Sequence, residues 1–206
     1  MYDKCLIVGS IPDVDLSDIK DRFVICADGG LNTLKKRGIP PDFFIGDMDS
    51  CGDTDIDVPR IILPAAKDLS DMHFAIKHAL KMGVKDFILT GCTGGRADHY
   101  LSNIFLLEYI EKRGAHGVIL DSGNRMEIYN RNVYNTEGYK YVSIVSLTEK
   151  CCGVTLSGLK YPLKDATLRR DDTLGISNEP LRNEVGIEIK KGRALIIMSR
   201  DDEYEV

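Results

Sequence analysis

The chain contains no tryptophan, and it also lacks the features that mark membrane and secreted proteins. No apolar run approaches the roughly 20 residues that a membrane-spanning helix needs. The N-terminal stretch MYDKCLIVGS has too short an apolar run for a signal peptide and no small-residue cleavage site. We therefore expect a cytoplasmic protein with no membrane partner.

Paired cysteines and an excess of basic residues are missing as well. The six cysteines include no CxxC and no metal-like spacing, so we expect reduced thiols that lie mostly in the core. Lys and Arg number 27 against 32 Asp and Glu, which gives a formal net charge of −5. Nucleic acids and anionic membranes need a basic surface, so neither is an expected partner.

Two common phosphate-binding motifs are absent. The chain has no GxxxxGK[ST], and no GxGxxG follows its first apolar run. Neither a Walker-type nucleotide site nor a standard dinucleotide site is therefore expected.

The first part of the chain has the pattern of an α/β domain. Apolar runs alternate with segments of helical period, which predicts a mostly parallel sheet. The predicted strands cover residues 4–10, 22–28, 42–47, 60–64, 86–91 and 117–122. The predicted helices cover 69–82, with Met72, Ala75, Ile76, Ala79 and Leu80 on one face, and 97–112, with Leu101, Ile104, Phe105 and Ile110.

After Gly123 the pattern changes to short strand-like runs broken by Gly, Asn and Asp turns, with no useful helical period. The runs are MEIYN, YVSIVSL, GVTLSGL, GIEIK and ALIIMS. Such a pattern is typical of a small all-β sandwich or barrel. We therefore predict two domains, an α/β domain over residues 1–123 and a β-sandwich domain over residues 124–206.

Acidic side chains gather where the predicted strands end. In an open parallel sheet, ligands bind beyond the carboxyl ends of the strands. The acids in such positions are Asp28, Asp47 and Asp49, Asp68 and Asp71, and Asp98. The same segments supply Lys67, Gly94, Gly95 and Arg96.

Several of these acids also have an ordinary structural interpretation. Asp28 can be a turn residue before two glycines, and Asp68 and Asp71 can be an N-cap and a first-turn acid of a helix. The pair Asp47 and Asp49 is harder to explain in this way. Two like charges so close together repel each other unless a cation or a proton intervenes.

The chemistry of this set favours a site for Mg²⁺ and a nucleotide. Carboxylate oxygens without a His or Cys cluster suit a hard cation, and Mg²⁺ is usually held by one or two carboxylates plus substrate phosphates. Gly94 and Gly95 before a helix offer backbone N–H groups to an anion. Lys67 and Arg96 add positive charge for phosphoryl oxygens.

An ordered series of motifs resembles bacterial thiamine pyrophosphokinases. The series is ADGGLNTLKKRGIPPDFFIGDMDS, KDLSD, TGCTGGRADHYLSNIFLL, GLKYPL and GISNE, and it extends over nearly the whole chain. This resemblance implies an enzyme that transfers pyrophosphate from ATP to the hydroxyethyl group of thiamine and releases AMP. It also implies Mg²⁺ as cofactor and a homodimer with active sites at the subunit junction.

The resemblance also assigns roles to residues. It implies that the Mg²⁺ ligands are Asp47, Asp49 and Asp71. The nucleotide would be bound by Asp28, Asn32, Lys67, Asp68, Gly94, Gly95 and Arg96. Asp71, Arg96 and Asp98 would act in catalysis, with Asp98 orienting or deprotonating the thiamine hydroxyl. Ser177 and Asn178 would hydrogen-bond thiamine, and Tyr161 is a candidate ring contact that can equally be a core or surface residue.

Two alternatives remain open from the sequence. The stretch FIGDMDS is similar to the hhhDxDxS start of haloacid-dehalogenase-type phosphatases, in which the first Asp is a nucleophile; that motif normally lies on the first strand, whereas two predicted strands precede it here. The second alternative is a nucleotide-sensing module without turnover.

Overall fold

The computed structural model describes residues 2–47, 58–64 and 66–200. The chain divides into two compact units, Met1–Ser122 and Gly123–Val206. Each unit has its own core.

The first unit is built on a parallel sheet. Its strands are β1 (Lys4–Val8), β2 (Phe23–Ala27), β3 (Phe43–Gly46), β4 (Arg60–Ile62), β5 (Asp86–Thr90) and β6 (His116–Leu120). Their order across the sheet is β4-β3-β2-β1-β5-β6, and every pairing among them is parallel. Each predicted strand is present, although most are shorter than predicted.

Apolar sequence explains why these strands lie at the centre of the unit. All residues of β2, with the sequence FVICA, are buried, and β1 and β5 are buried after their first residue. Burying one aliphatic side chain contributes about 1.5–3 kcal/mol, so runs of this kind stabilise a sheet that is covered on both faces.

Three helices connect the strands in the described part of this unit. They are α1 (Gly30–Lys36), α2 (Asp71–Lys81) and α3 (Ala97–Glu111). The side chain of Ser70 caps α2 by accepting a hydrogen bond from the backbone N–H of His73 at 3.3 Å. The N-cap is therefore Ser70 and not Asp68, and Asp71 is the first-turn acid.

The apolar residues that marked the predicted helix over residues 97–112 do not all face the core. Leu101 and Phe105 are 55% and 50% exposed, whereas Asn103, Leu106 and Leu107 are buried beside Ile110. The helix is apolar on most of its circumference, so its period does not identify the face that packs on the sheet.

The second unit is all-β in its described residues. Its strands are β7 (Asn124–Ile128), β8 (Val133–Asn135), β9 (Tyr141–Ser146), β10 (Lys150–Ser157), β11 (Leu163–Arg169), β12 (Glu184–Glu188) and β13 (Ala194–Ser199). They form an antiparallel group β7-β13-β9 and an antiparallel sheet β11-β10-β12-β8.

The two groups of strands share one core. Ile144 and Ile196 from the first group lie in the same buried cluster as Val154 and Ile187 from the second. Strand β9 alternates between buried and partly exposed residues, as expected when one face of a sheet packs on a core. The predicted fold class, an α/β part followed by a β-sandwich, is confirmed.

The described residues contain no helix that is long and apolar enough to cross a bilayer. No disulfide links the five described cysteines, and Cys5, Cys26, Cys92 and Cys151 are buried, which confirms the expectation of core thiols. Cys51 lies outside the described residues.

Candidate active site

The candidate site lies where the order of the strands across the sheet reverses direction. Strands β2, β3 and β4 lie on one side of β1, and β5 and β6 lie on the other, so β1 and β5 are neighbours at the switch point. Loops that leave the carboxyl ends of such neighbouring strands diverge to opposite faces of the sheet and leave a crevice between them.

Two glycines make this crevice possible. A Cβ atom on Gly9 would lie 2.5 Å from the carbonyl oxygen of Gly91, and a Cβ on Gly91 would lie 2.7 Å from that of Gly9. Gly91 also has a φ of +62°, which L-residues rarely adopt. Both positions therefore require glycine, because a side chain on either residue would prevent the ends of β1 and β5 from approaching so closely.

A cleft of about 620 Å³ opens at this position. It is a suitable size for a small-molecule ligand. Its lining includes Asp28, Asp47, Lys67, Asp68, Asp71, Gly94 and Arg96 from the predicted set, together with Ser10, His99 and Asn103.

Lys67 lies between two of the acids. Its Nζ is 2.8 Å from Oδ1 of Asp71 and 3.1 Å from Oδ2 of Asp47, and all three side chains are less than a quarter exposed. Burial lowers the pKa of Lys67, but the hydrogen bonds to Asp71 and Asp47 outweigh burial and raise the pKa above its ordinary value. The lysine therefore remains charged at neutral pH and relieves the repulsion between the two carboxylates.

The same arrangement fits a hard cation. Two carboxylates that both reach one ammonium nitrogen have their oxygens directed at a common position, and two carboxylates are enough for Mg²⁺ when substrate phosphates complete its shell. Among the described residues, no three His, Cys, Asp or Glu side chains form a complete metal cluster. Asp49, the third predicted ligand, lies outside the described residues.

Asp28 has an unusual backbone at the end of β2. Its φ is +47°, in the left-handed region, and its N–H donates to the carbonyl of Ile45 at 2.8 Å. A Cβ on Gly46 would lie 2.9 Å from the Cα of Asp28, so β3 needs a glycine beside it. Backbone strain of this kind is concentrated at functional sites, and here it directs an acid into the cleft.

The glycine-rich turn after β5 is attached to α3 by a buried side chain. The Nδ2 of Asn103 donates to the carbonyl oxygen of Cys92 at 2.8 Å, and Asn103 is 8% exposed. Gly94 and Gly95 follow with φ values of +75° and +63°. Asn103 therefore holds the start of the turn. Gly94 and Gly95 allow the turn to bend, because glycine adopts positive φ values without a steric clash of a Cβ atom.

We expect Asn103→Ala to weaken this attachment. The carbonyl of Cys92 would lose its donor, so the free energy of unfolding should fall by about 1–3 kcal/mol. Displacement of the turn should also weaken, roughly tenfold, the binding of Mg-ATP, the ligand that the sequence resemblance implies for this cleft. Urea titration and isothermal titration calorimetry measure the two effects.

The matched control is Ser102→Ala, because Ser102 is the exposed neighbour on the same helix. It should change neither quantity. An Asn103→Ala protein with unaltered Mg-ATP affinity would contradict the role of Asn103 in holding the turn.

Arg96 and Asp98 form a pair at the start of α3. Nε of Arg96 donates to Oδ1 of Asp98 at 3.1 Å, and Nη2 of Arg96 donates to Oδ2 of Asp98 at 2.6 Å. The hydrogen bonds from Arg96 lower the pKa of Asp98, so the paired carboxylate is a weak base. This pairing favours an orienting role for Asp98 over a deprotonating one.

Three predicted residues do not line the cleft. Asn32 lies on α1 and is exposed, Gly95 lies in the turn before α3, and Asp98 lies on the exposed start of α3. Sequence reasoning also missed Ser10, although it is the last residue of the predicted strand over residues 4–10. His99 was also missed. It lies inside the motif TGCTGGRADHYLSNIFLL, but neither its residue type nor its position in that motif marked it as a site residue.

Ser177 and Asn178 lie in the second unit, on the loop between β11 and β12. Ser177 is exposed and has a φ of +53°. Asn178 is 3% exposed, and its amide bonds to the backbone of Tyr161. Oδ1 of Asn178 already accepts from the N–H groups of Tyr161 and Glu179, so the second N–H of Nδ2 is the group that could bond a ligand. Ser177, by contrast, is exposed as it stands.

Two family models match the chain, one within each unit. The model described as thiamin pyrophosphokinase, catalytic domain, matches residues 18–119. The model described as thiamin pyrophosphokinase, vitamin B1 binding domain, matches residues 129–194. The acids, Lys67 and the glycine-rich turn all fall within the first match, and Ser177 and Asn178 fall within the second.

Individual relatives agree with these matches. Thiamine pyrophosphokinase of Bacillus subtilis (strain 168) is 32% identical over 202 residues, which cover 93% of this chain and 94% of that protein. The crystal structure of the B. subtilis protein superposes with a TM-score of 0.85 at 30% identity and covers 96% of this chain and 99% of that one. That of Geobacillus thermodenitrificans thiamin pyrophosphokinase gives 0.82 at 30% identity, with 97% and 98% covered.

Proposed function

The chain belongs to the thiamine pyrophosphokinase family, and we propose that it transfers the β,γ-pyrophosphoryl unit of ATP to the hydroxyethyl group of thiamine. The products are thiamine diphosphate and AMP, and the reaction depends on Mg²⁺. The observation that carries this proposal is the cluster of Asp47, Lys67 and Asp71 at the strand ends, inside the segment that matches the catalytic domain.

Pyrophosphoryl transfer requires that the reacting groups are positioned in line and that the phosphate charge is neutralised, more than it requires a covalent intermediate. Asp47 and Asp71 would hold Mg²⁺, which neutralises phosphate oxygens when it is bound. Lys67 would then turn part of its hydrogen bonding from the two carboxylates to the phosphates. Gly94 and the backbone N–H groups near it would receive the remaining anionic oxygens.

The attacking hydroxyl would be placed by the pair at the start of α3. Asp98 would accept a hydrogen bond from the alcohol and orient it. Arg96, whose side chain is 75% exposed, would contact the phosphoryl oxygens with guanidinium N–H groups other than the two that it donates to Asp98. Thiamine is a cation, and the acidic cleft favours its approach. Ser177 would bond thiamine from the second unit.

We further propose that the enzyme acts in the cytoplasm as a homodimer in which the partner completes each site. Leu101 and Phe105 support a protein–protein contact on α3, because they lie one turn apart and are about half exposed. A permanent interface of this kind should bury about 1,000 Å² or more.

The phosphatase alternative has no support from the fold. The first three residues of FIGDMDS lie in β3, which is the third strand in the chain, whereas the nucleophile of that phosphatase type normally follows the first strand. A sensing module would bind the same ligands without turnover, so an activity assay distinguishes it from an enzyme.

The decisive product is AMP. When the protein is incubated with Mg-ATP and thiamine, we expect AMP and thiamine diphosphate to form in equal amounts, because both terminal phosphorus atoms move together. Ion-exchange chromatography separates AMP from ADP, and ³¹P NMR shows the pyrophosphoryl group on thiamine.

A reaction without thiamine is the control and should leave ATP intact. Quantitative formation of ADP would place the chain among ordinary kinases and overturn the proposed reaction. Binding of both ligands with no product would favour the sensing module instead.

A further inference from the structure

A second cavity lies within the second unit, between strands of its two groups. It has a volume of about 470 Å³, which is in the range of small-molecule pockets. Its lining includes two arginines, Arg125 and Arg131, two glutamates, Glu137 and Glu184, and the apolar residue Val133. None of these residues lines the cleft of the first unit, so the cavity is a separate candidate site.

A buried carboxylate fixes both arginines. Glu127 on β7 is 0% exposed and accepts a hydrogen bond from Nε of Arg125 at 3.0 Å. Nη2 of Arg131 donates to both carboxylate oxygens of Glu127, at 2.6 and 2.7 Å. The guanidinium carbon of Arg131 also lies 4.9 Å from the centre of the buried Tyr134 ring. The two guanidinium groups are therefore held in place before any ligand arrives.

This group carries one more positive charge than negative. One arginine would neutralise Glu127, and two are present. Each guanidinium has five N–H groups, so both retain donors beyond those directed at Glu127. The side chains of Arg125 and Arg131 are 28% and 44% exposed, which leaves them accessible from the cavity. Fixed, accessible guanidinium groups are suited to phosphate or carboxylate oxygens.

The same cavity has two acidic residues that are not neutralised. Glu137 and Glu184 are exposed, and neither forms an ion pair with a described residue. Their charges disfavour a simple anion at the arginines and favour a cation nearby. A ligand that carries both charges matches the whole lining better than an anion or a cation alone.

From this distribution of charge we propose that the cavity binds a small zwitterion. Its phosphate or carboxylate group lies against Arg125 and Arg131, and its cationic group lies near Glu137 and Glu184. Thiamine diphosphate belongs to this class, because a diphosphate is attached to a cationic thiazolium. The inference rests on the proposed function for this choice of probe alone, since the charges of the cavity are independent of the reaction.

A tryptophan at the cavity can report binding, because the chain has none of its own. Val133→Trp places one at a lining residue that is 55% exposed. In the full-length protein, without Mg²⁺ or ATP, thiamine diphosphate should change its fluorescence in a saturable way. Tyr2→Trp is the matched control and should show no saturable change, since Tyr2 is 52% exposed and precedes β1, away from the carboxyl ends of the strands.

Three probes separate the two charges. Methyl diphosphate has the anionic group without the cation, and thiamine has the cation without the anion. Thiamine diphosphate should bind the Val133→Trp protein about fivefold more tightly than methyl diphosphate, because the cation adds pairs with two exposed carboxylates. Thiamine should bind more weakly than either.

Substitutions in the Val133→Trp protein test each end of the site. Arg131→Gln should weaken the binding of both diphosphates roughly tenfold, because charge-assisted hydrogen bonds are lost. Thermal unfolding followed by circular dichroism shows whether this variant is folded, since Glu127 loses a partner. The double change Glu137→Gln and Glu184→Gln affects exposed residues and should weaken thiamine diphosphate binding about two- to fivefold without weakening methyl diphosphate binding.

Glu188→Gln is the matched control for the double change. Glu188 is an exposed acid on the same strand as Glu184, and it does not line the cavity. It should leave the affinities for all three probes unaltered.

Each outcome has a defined consequence. Equal affinities for thiamine diphosphate and methyl diphosphate would make the cavity an anion site and overturn its assignment to zwitterions. The absence of a saturable response to thiamine diphosphate in Val133→Trp overturns the inference, whatever the assay for AMP shows. Conversely, a saturable response in a protein that forms no AMP from Mg-ATP and thiamine would overturn the proposed function and leave this inference in place.

Discussion

Asp47→Asn is expected to lower kcat by about a hundredfold or more while the protein stays folded. Asp47 and Asp71 reach the same Lys67 nitrogen, at 3.1 and 2.8 Å, and so direct their oxygens at the position where Mg²⁺ would be held. An amide in place of one carboxylate removes a negative ligand from that position. Initial rates at saturating Mg-ATP and thiamine measure the effect.

The fold should tolerate this change because Lys67 retains Asp71 as its partner. Loss of one ion pair is offset in part by relief of the repulsion between the two acids, so the free energy of unfolding should change by no more than about 1–2 kcal/mol. Mg²⁺ should raise the Tm of the wild-type protein in the presence of ATP by binding the folded state, and this increase should be smaller in Asp47→Asn.

Asp165→Asn is the matched control for this experiment. Asp165 also pairs with a lysine, Lys190, at 2.9 Å, but both side chains are exposed and lie in the second unit. Its substitution should leave kcat and the Mg²⁺-dependent Tm increase unaltered. Near-normal turnover of Asp47→Asn in saturating Mg²⁺ would refute the metal-binding role.

The sequence motif predicts the same loss for Asp49→Asn, since Asp49 is the second acid of the DxD pair. Asp49 lies outside the described residues, so this expectation rests on the motif alone. The two variants together test whether both acids of the pair are needed.

The sheet of the first unit was predictable because its strands are nearly continuous apolar runs. FVICA and DFILT are buried along almost their whole length, and a run of this kind is recognisable without knowledge of its neighbours. The same reasoning predicted that acids would gather at one edge of the sheet, because strand ends bring distant residues together in any parallel sheet.

The elements that were missed lack such a signal. Helix α1 has only seven residues, and its buried positions are Gly30, Leu31 and Leu34. Strand β8 has three residues, and β11 is largely exposed, with Leu168 as its buried residue. Their structure is determined by pairing with neighbours, as β11 pairs with β10, and pairing partners are not visible in a single sequence.

Side-chain partners in the site were also beyond prediction. The sequence indicated that Lys67 and Asp71 lie near one site, but not that Lys67 would join two acids. It did not indicate that the amide of Asn178 would bond the backbone of Tyr161, because that contact joins two loops whose residues are 17 positions apart. Such contacts follow from tertiary placement, which motif spacing does not encode.

The last prediction concerns the dimer. The acids that would bind Mg²⁺ lie in the first unit, and the residues proposed to bind thiamine lie in the second. If the partner chain completes each site, one protomer lacking Asp47 and another lacking the side chains of Ser177 and Asn178 have complementary defects. Asp47→Asn chains and chains carrying both Ser177→Ala and Asn178→Ala should therefore regain activity when their subunits exchange, in assays at limiting thiamine.

The arithmetic of mixing gives the size of the recovery. With equal amounts and complete exchange, half of the dimers are mixed, and each has one intact site of two, so activity should reach about a quarter of the wild-type value. Two chains that carry the same substitution serve as the control and should show no gain. An activity equal to the mean of the two unmixed variants after verified exchange, or a fully active monomer by sedimentation, would show that each chain contains a complete site. Recovery to about a quarter would instead require that substrate-binding and phosphate-binding groups of one site come from different chains.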